Sequence, residues 1–170
     1  MPDVAFYRDL YAYNRKVLEN FLRRLEKLPA REAERDRGSG HGSLALTFLH
    51  IVRVHDAWIN HLLKGDLEGL RASRERYSRM HTVREARAYF RASWKGIDRT
   101  LRGLTAAKLR APAKAPWMPG RYTVEDALVQ CTFEQAHHIG EMIALLWQAD
   151  EVPPQMMWIP IRTKRRVRVD

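Results

Sequence analysis

The sequence predicts an all-α protein built as a four-helix bundle. Three observations carry this: four amphipathic stretches with apolar residues three or four apart, breaks between them rich in Gly, Pro or charge, and no convincing strand alternation. The first stretch covers about Asp3–Leu28, where Phe6, Leu10, Tyr13, Val17, Phe21 and Leu25 form one apolar stripe until Pro29 stops it. Arg31–Gly42 is charged and then glycine-rich (GSGHGS), the composition of a flexible connection. Ser43 is placed to cap a second helix that runs to about Lys64 and ends at Gly65. A third begins near Thr82, with Glu85 completing a capping box, and reaches about Arg102. Ala111–Tyr122 (APAKAPWMPGRY) holds too much Pro and Gly for regular helix, so a long ordered crossover is expected between helices three and four, with a short extended pair. Thr123 caps the fourth helix, which runs to about Ala149 and is terminated by Pro153–Pro154.

A chain of 170 residues, 45% hydrophobic and with five Trp and five Phe, fits one domain with a sizeable core. Residues 1–160 are assigned to the bundle and 161–170 to a basic C-terminal tail. The lone cysteine, Cys131, excludes an intrachain disulfide and suits a reducing compartment. No segment reaches the ~20 apolar residues of a membrane span, and the first residues carry no apolar signal run, so a soluble, cytoplasmic protein is expected. The net charge of +10 is spread over polar helix faces, and its one dense run is RTKRRVRVD, Arg162–Asp170. Without zinc-finger ligand pairs, an aromatic RNA-binding signature or a Gly-rich phosphate loop, this favours a solvated surface; a nucleic-acid-associated role is the lesser alternative.

The chemistry concentrates on helices two and four. On a wheel of about 100° per residue, the fourth helix has its apolar stripe through Val124, Leu128, Cys131, Ile139, Met142 and Leu146. His138 lies inside the stripe's edge, Glu134 one turn earlier on the same side, and His137 toward the polar face. A carboxylate placed inward is costly unless it is paired or bound to a cation, which makes Glu134 and His138 a candidate metal pair. The second helix offers His50, His55 and His61. His50 falls at the flank of the apolar face and His55 near its centre, so periodicity does not choose between them. Trp58, Trp94 and Trp147 read as core or dimer-seam residues, Cys131 as a small buried hydrophobe, and Trp117, Met118 and Tyr122 as residues of the crossover that could wall a site.

The stretch FLHIVRVHDAWINHLLKG, followed later by EQAHHIGEMIALLWQ, resembles the DinB/YfiT-like superfamily of metal-dependent enzymes. The resemblance lies in a second-helix His followed eight residues on by an aromatic (His50, Trp58) and in a last-helix doubled His before Gly and an acid (His137-His138-Ile139-Gly140-Glu141). It implies a four-helix bundle, often a homodimer, binding one divalent metal ion (Zn, Ni, Fe or Mn) through His50, Glu134 and His138. Glu134 stands where the family most often has a third His, a departure that leaves the metal's identity open. Glu141 would orient a ligand, and His55 becomes a core residue or the candidate catalytic base. Three protein ligands leave a position open for chemistry. The resemblance thus implies a metal-dependent transferase or hydrolase acting on a small-molecule substrate, with a metal-activated water or low-molecular-weight thiol as nucleophile. A non-catalytic, metal-binding stress-response bundle is the alternative.

Overall fold

The long helices in this chain begin where a short polar side chain accepts a free backbone N–H. The computed structural model describes residues 3–163. Asp3 caps α1 (Val4–Leu25), which is followed by the short α2 (Ala30–Glu34); Ser43 caps α3 (Leu44–His55). The second helix keeps its expected limits but changes its winding. After α3 come a π turn (Asp56–His61) and a 3-10 turn (Leu62–Lys64), and Gly65 ends the run at φ +68°.

A buried carboxylate accompanies the wide turn. Asp56 accepts hydrogen bonds from Asn60 (2.7 Å), Ser73 (2.7 Å) and Tyr89 (2.8 Å). Burial alone would raise its pKa, but these three donors outweigh it and hold Asp56 below the ordinary carboxylate range. Ser73 belongs to α4 (Leu67–Tyr77), a helix that hydrophobic periodicity does not reveal because its one buried residue is that serine. Tyr89 belongs to α5 (Val83–Arg102), which opens on the expected Thr82–Glu85 capping box.

The crossover holds α6 (Ala106–Leu109) and an antiparallel hairpin, β1 (Pro112–Ala115) and β2 (Met118–Thr123), with Pro112 opposite Thr123 and Ala115 opposite Met118. Trp117 and Tyr122 from this hairpin pack on Trp58 at 6.3 and 5.9 Å between ring centres. Thr123 and Asp126 form the capping box of α7 (Val124–Trp147). Last comes α8 (Trp158–Thr163), whose Trp158 packs on Tyr13 and whose Arg162 pairs with Asp9 at 3.0 Å. It runs across the expected boundary between bundle and tail; most of the basic run, from Lys164 on, lies outside the described residues.

The protein is all-α in its framework, a bundle of the four long helical runs with one small hairpin. Phe21, Phe48, Ile51, Trp94 and Ile97 fill its centre, with Trp58 also buried and Trp147 at the surface. No helix among the described residues is long and apolar enough to cross a membrane. A polar belt crosses the core. Gln135 Nε2 on α7 donates to the Asn14 carbonyl of α1 (3.1 Å), and its Oε1 lies 2.9 Å from Nε2 of His55 on α3. The His55 ring therefore donates from Nε2, while Nδ1 is buried without a partner.

That arrangement suits only neutral imidazole, and burial pushes the His55 pKa down to about 4, the Gln135 bond resisting in part. Because the unfolded chain takes up the proton near 6.5, the folded state loses stability as pH falls from 6.5 through about 4. For this one residue the loss is roughly 3 kcal/mol. Denaturant midpoints of the metal-free protein should drop across that window, and the NMR signals of the His55 ring should stay in their neutral form until about pH 4. A ring titrating near 6.5 would contradict the buried geometry.

Candidate metal centre

Helices α3 and α7 pack side by side and antiparallel. His55 meets Gln135, and five residues earlier on α3 His50 meets His138, three residues later on α7. The His50 and His138 ring centres are 4.5 Å apart. His50 owes this position to its place at the flank of the apolar stripe, where it is half-buried and opens toward solvent. His55, at the stripe's centre, is fully buried and wedged between Tyr11 and Trp94. It is a core residue, hydrogen-bonded to Gln135 and five residues from His50 along α3. His137 is exposed beside His138, as the wheel predicts.

A third histidine arrives from outside both helices. His41 lies in the GSGHGS segment, which is an ordered turn rather than a flexible connection. Asp36 Oδ1 accepts from the Gly38 amide (2.9 Å), Arg37 N–H donates to the Gly42 carbonyl (2.7 Å), and Ser39 and Gly42 form an isolated β-bridge. Gly42 has φ +83°, a left-handed conformation that disfavours any side chain, and a Cβ there would stand 3.3 Å from Asp36 Oδ1. The turn lays the His41 ring on His50, with centres 3.8 Å apart and planes 23° from parallel, and sets it 4.8 Å from His138. Sequence reasoning missed this residue because a loop has no period. The available signal was a single histidine among glycines, between an Asx-turn aspartate and a helix cap.

Two carboxylates flank the imidazoles. Glu141 Oε2 accepts from His138 Nδ1 at 3.0 Å, the orienting contact expected from sequence, and so directs the lone pair of Nε2 to the other side of the ring. Burial is the largest influence and would raise the Glu141 pKa, but the His138 bond, the Ser39 hydroxyl and the nearby imidazoles together outweigh it and the net shift is downward. Glu134 Oε2 stands 3.4 Å from His138 Nε2, and its Oε1 accepts from Gln130. His50 is pushed down to about 3, by burial first and then by the neighbouring His41, His138 and Arg53; burial also lowers His41.

These features match the needs of a metal. One ring nitrogen from each of His41, His50 and His138 lies within 4.8 Å of the other two. Zinc-type bonds of about 2.0–2.1 Å would set tetrahedral nitrogens roughly 3.3 Å apart, a closure within reach of side-chain rotation. Neutral imidazole is the ligating form, and His50 stays neutral across the physiological range. Of the ligands implied by resemblance, His50 and His138 face each other, Glu134 adjoins His138, and His41 joins as a donor not foreseen.

The family model of the DinB superfamily matches residues 14–142, a span that includes all these residues. The chain belongs to the DinB superfamily. No curated protein matches it. Within this DinB-superfamily bundle, the contact most open to test is Glu141 with His138. Glu141→Gln weakens the acceptor that fixes the His138 tautomer, and metal affinity should fall about 10–100-fold, the usual cost of losing such a partner. Competition titration against a chromogenic chelator measures this, and an unchanged affinity would show that Glu141 does not orient the ring.

Proposed function

We propose that this DinB-superfamily protein holds one divalent metal ion, Zn, Ni, Fe or Mn, at His41, His50 and His138 and acts as a metal-dependent transferase or hydrolase. The convergence of three imidazoles from a turn and two helices, with a carboxylate fixing one of them, is the observation that supports this best. Such an ion supplies a Lewis acid that makes a water or low-molecular-weight thiol nucleophilic near neutral pH. The chain's own residues do the rest. Glu141 holds His138, the 36–43 turn closes over one side, and Glu134 is partly exposed beside His138. With His41 as the third nitrogen donor, Glu134 is free to accept the nucleophile's proton instead of binding the ion, in place of His55, the base candidate from sequence.

Metal analysis combined with three variants tests this assignment. His138→Ala and His41→Ala should each lose the ion during purification without added metal. Glu134→Gln should keep it, yet lose about 10²–10⁴-fold in rate in a screen of thiol and water acceptors against electrophiles. If Glu134→Gln empties the site while His41→Ala retains metal, the ligand set is instead His50, Glu134 and His138.

A second reading has its own support. An ion held by His41 would tie the 36–43 turn to both α3 and α7, the task of a structural ion in a non-catalytic bundle. Chelation separates the two: a catalytic ion costs activity with little loss of fold, whereas a structural one lowers the melting temperature by several degrees. The homodimer implied by family resemblance has a surface to use on α7, where Phe133 is 68% and Trp147 58% exposed on one outer face. Sedimentation at monomer mass at tens of micromolar would remove that part of the proposal.

A further inference from the structure

We infer that Arg53 anchors a carboxylate of the substrate or cosubstrate at the histidine site, an inference that rests on the metal-centre reading above. Arg53 follows His50 by one turn on the same face of α3 and is half-buried. Its guanidinium carbon lies 5.0 Å from the Tyr77 ring centre, a cation–π contact. One terminal nitrogen reaches His50 Nδ1 at 3.4 Å, a long and weak contact, and Nε is buried without a partner.

Arg24 and Arg37 also bury an Nε without a partner, but both have a carboxylate to pair with. Arg8 donates to three backbone carbonyls, Arg24 pairs with Glu151, and Arg37 pairs with Glu32 at 2.9 Å. Arg53 has no acidic partner among the described residues, although it stands beside the cluster that Glu134 and Glu141 flank. A half-buried guanidinium without a carboxylate partner is suited to bind a planar, two-oxygen anion through its terminal nitrogens. Its single charge, with two carboxylates nearby, favours a monoanion over a phosphate dianion. The ligand chemistry is therefore a small carboxylate whose reactive thiol or electrophilic centre lies one or two bonds away, toward the imidazoles.

The test uses the full chain loaded with cobalt(II), whose thiolate absorption reports ligand binding, with cobalt content measured before and after. Mercaptoacetate should bind at least about tenfold more tightly than 2-mercaptoethanol, the scale of one charge-assisted contact. Arg53→Gln should abolish that preference, and Arg53→Lys, which keeps charge and bulk, should retain part of it. In parallel, propionate added to metal-free protein should shift the Arg53 Nε–H NMR signal, and inorganic phosphate should displace it only at higher concentration. Equal binding of the two thiols by cobalt-loaded wild type, or a preference that survives Arg53→Gln in a folded variant, overturns the Arg53 assignment while leaving the metal site standing. Protein that holds no cobalt, but whose Arg53 signal still responds to propionate, overturns the metal reading and leaves Arg53 in place. Loss of both signals ends both, and displacement by phosphate at lower concentration than propionate overturns the carboxylate class.

Discussion

The site depends on the rotational register of α3 against α7. Helical side chains advance by about 100° per residue, so a slip of one residue on either helix would carry His50 or His138 away from the other. The buried His55–Gln135 hydrogen bond, 2.9 Å long and about one turn from the histidine pair, opposes such a slip. Gln135 is also tied to the Asn14 carbonyl on α1, so rotating α7 would strand polar groups in a core that offers them no water. An intact bond of this kind contributes only about 1 kcal/mol net, but leaving its partners buried and unsatisfied costs about 1–3 kcal/mol. The penalty for the wrong register, more than the reward for the right one, keeps the imidazoles opposed.

Charge then sets the state in which those imidazoles meet. Burial, and then the neighbouring rings, disfavour a charge on His50 and His41, so both are held below their ordinary range. The carboxylates of Glu134 and Glu141 flank the cluster on α7. Glu141 works through His138, whereas Glu134 has an oxygen facing the ring nitrogen on the other side. The two acids, two turns apart on α7, thus stand one at each ring nitrogen of His138. Arg53 has no carboxylate partner among the described residues.

Most of the frame was legible because caps and stripes are local signals. Ser43, Thr82, Thr123 and Gly65 each mark a helix limit that the structure keeps, since every one answers a hydrogen-bonding or φ requirement at that residue. The changed winding of the second helix was not legible. The π turn goes with Asp56 reaching Ser73 and Tyr89, partners 17 and 33 positions away that no local window contains. The same holds for α4, whose one fully buried residue is a serine, with Leu70 and Tyr77 only partly buried beside it. The choice between His50 and His55 needed the family resemblance, because the wheel ranks residues by burial, and the most buried histidine is the one least able to meet a ligand. A residue at the stripe's edge can touch the neighbouring helix and solvent together.

His41 shows why glycine content alone misleads. Gly38 and Gly42 both take positive φ, and Asp36 with the Ser39–Gly42 bridge turns that freedom into one defined shape. Glycine here permits a tight path instead of supplying mobility. The path passes directly over α7: a Cβ added at Gly40 would stand 3.8 Å from Glu141 Oε1, an oxygen buried without a hydrogen-bond partner. The carboxylate that orients His138 therefore also underlies the turn that delivers His41. Any change that moves Glu141 acts on two of the three imidazoles together, through the ring it holds and through the turn it supports.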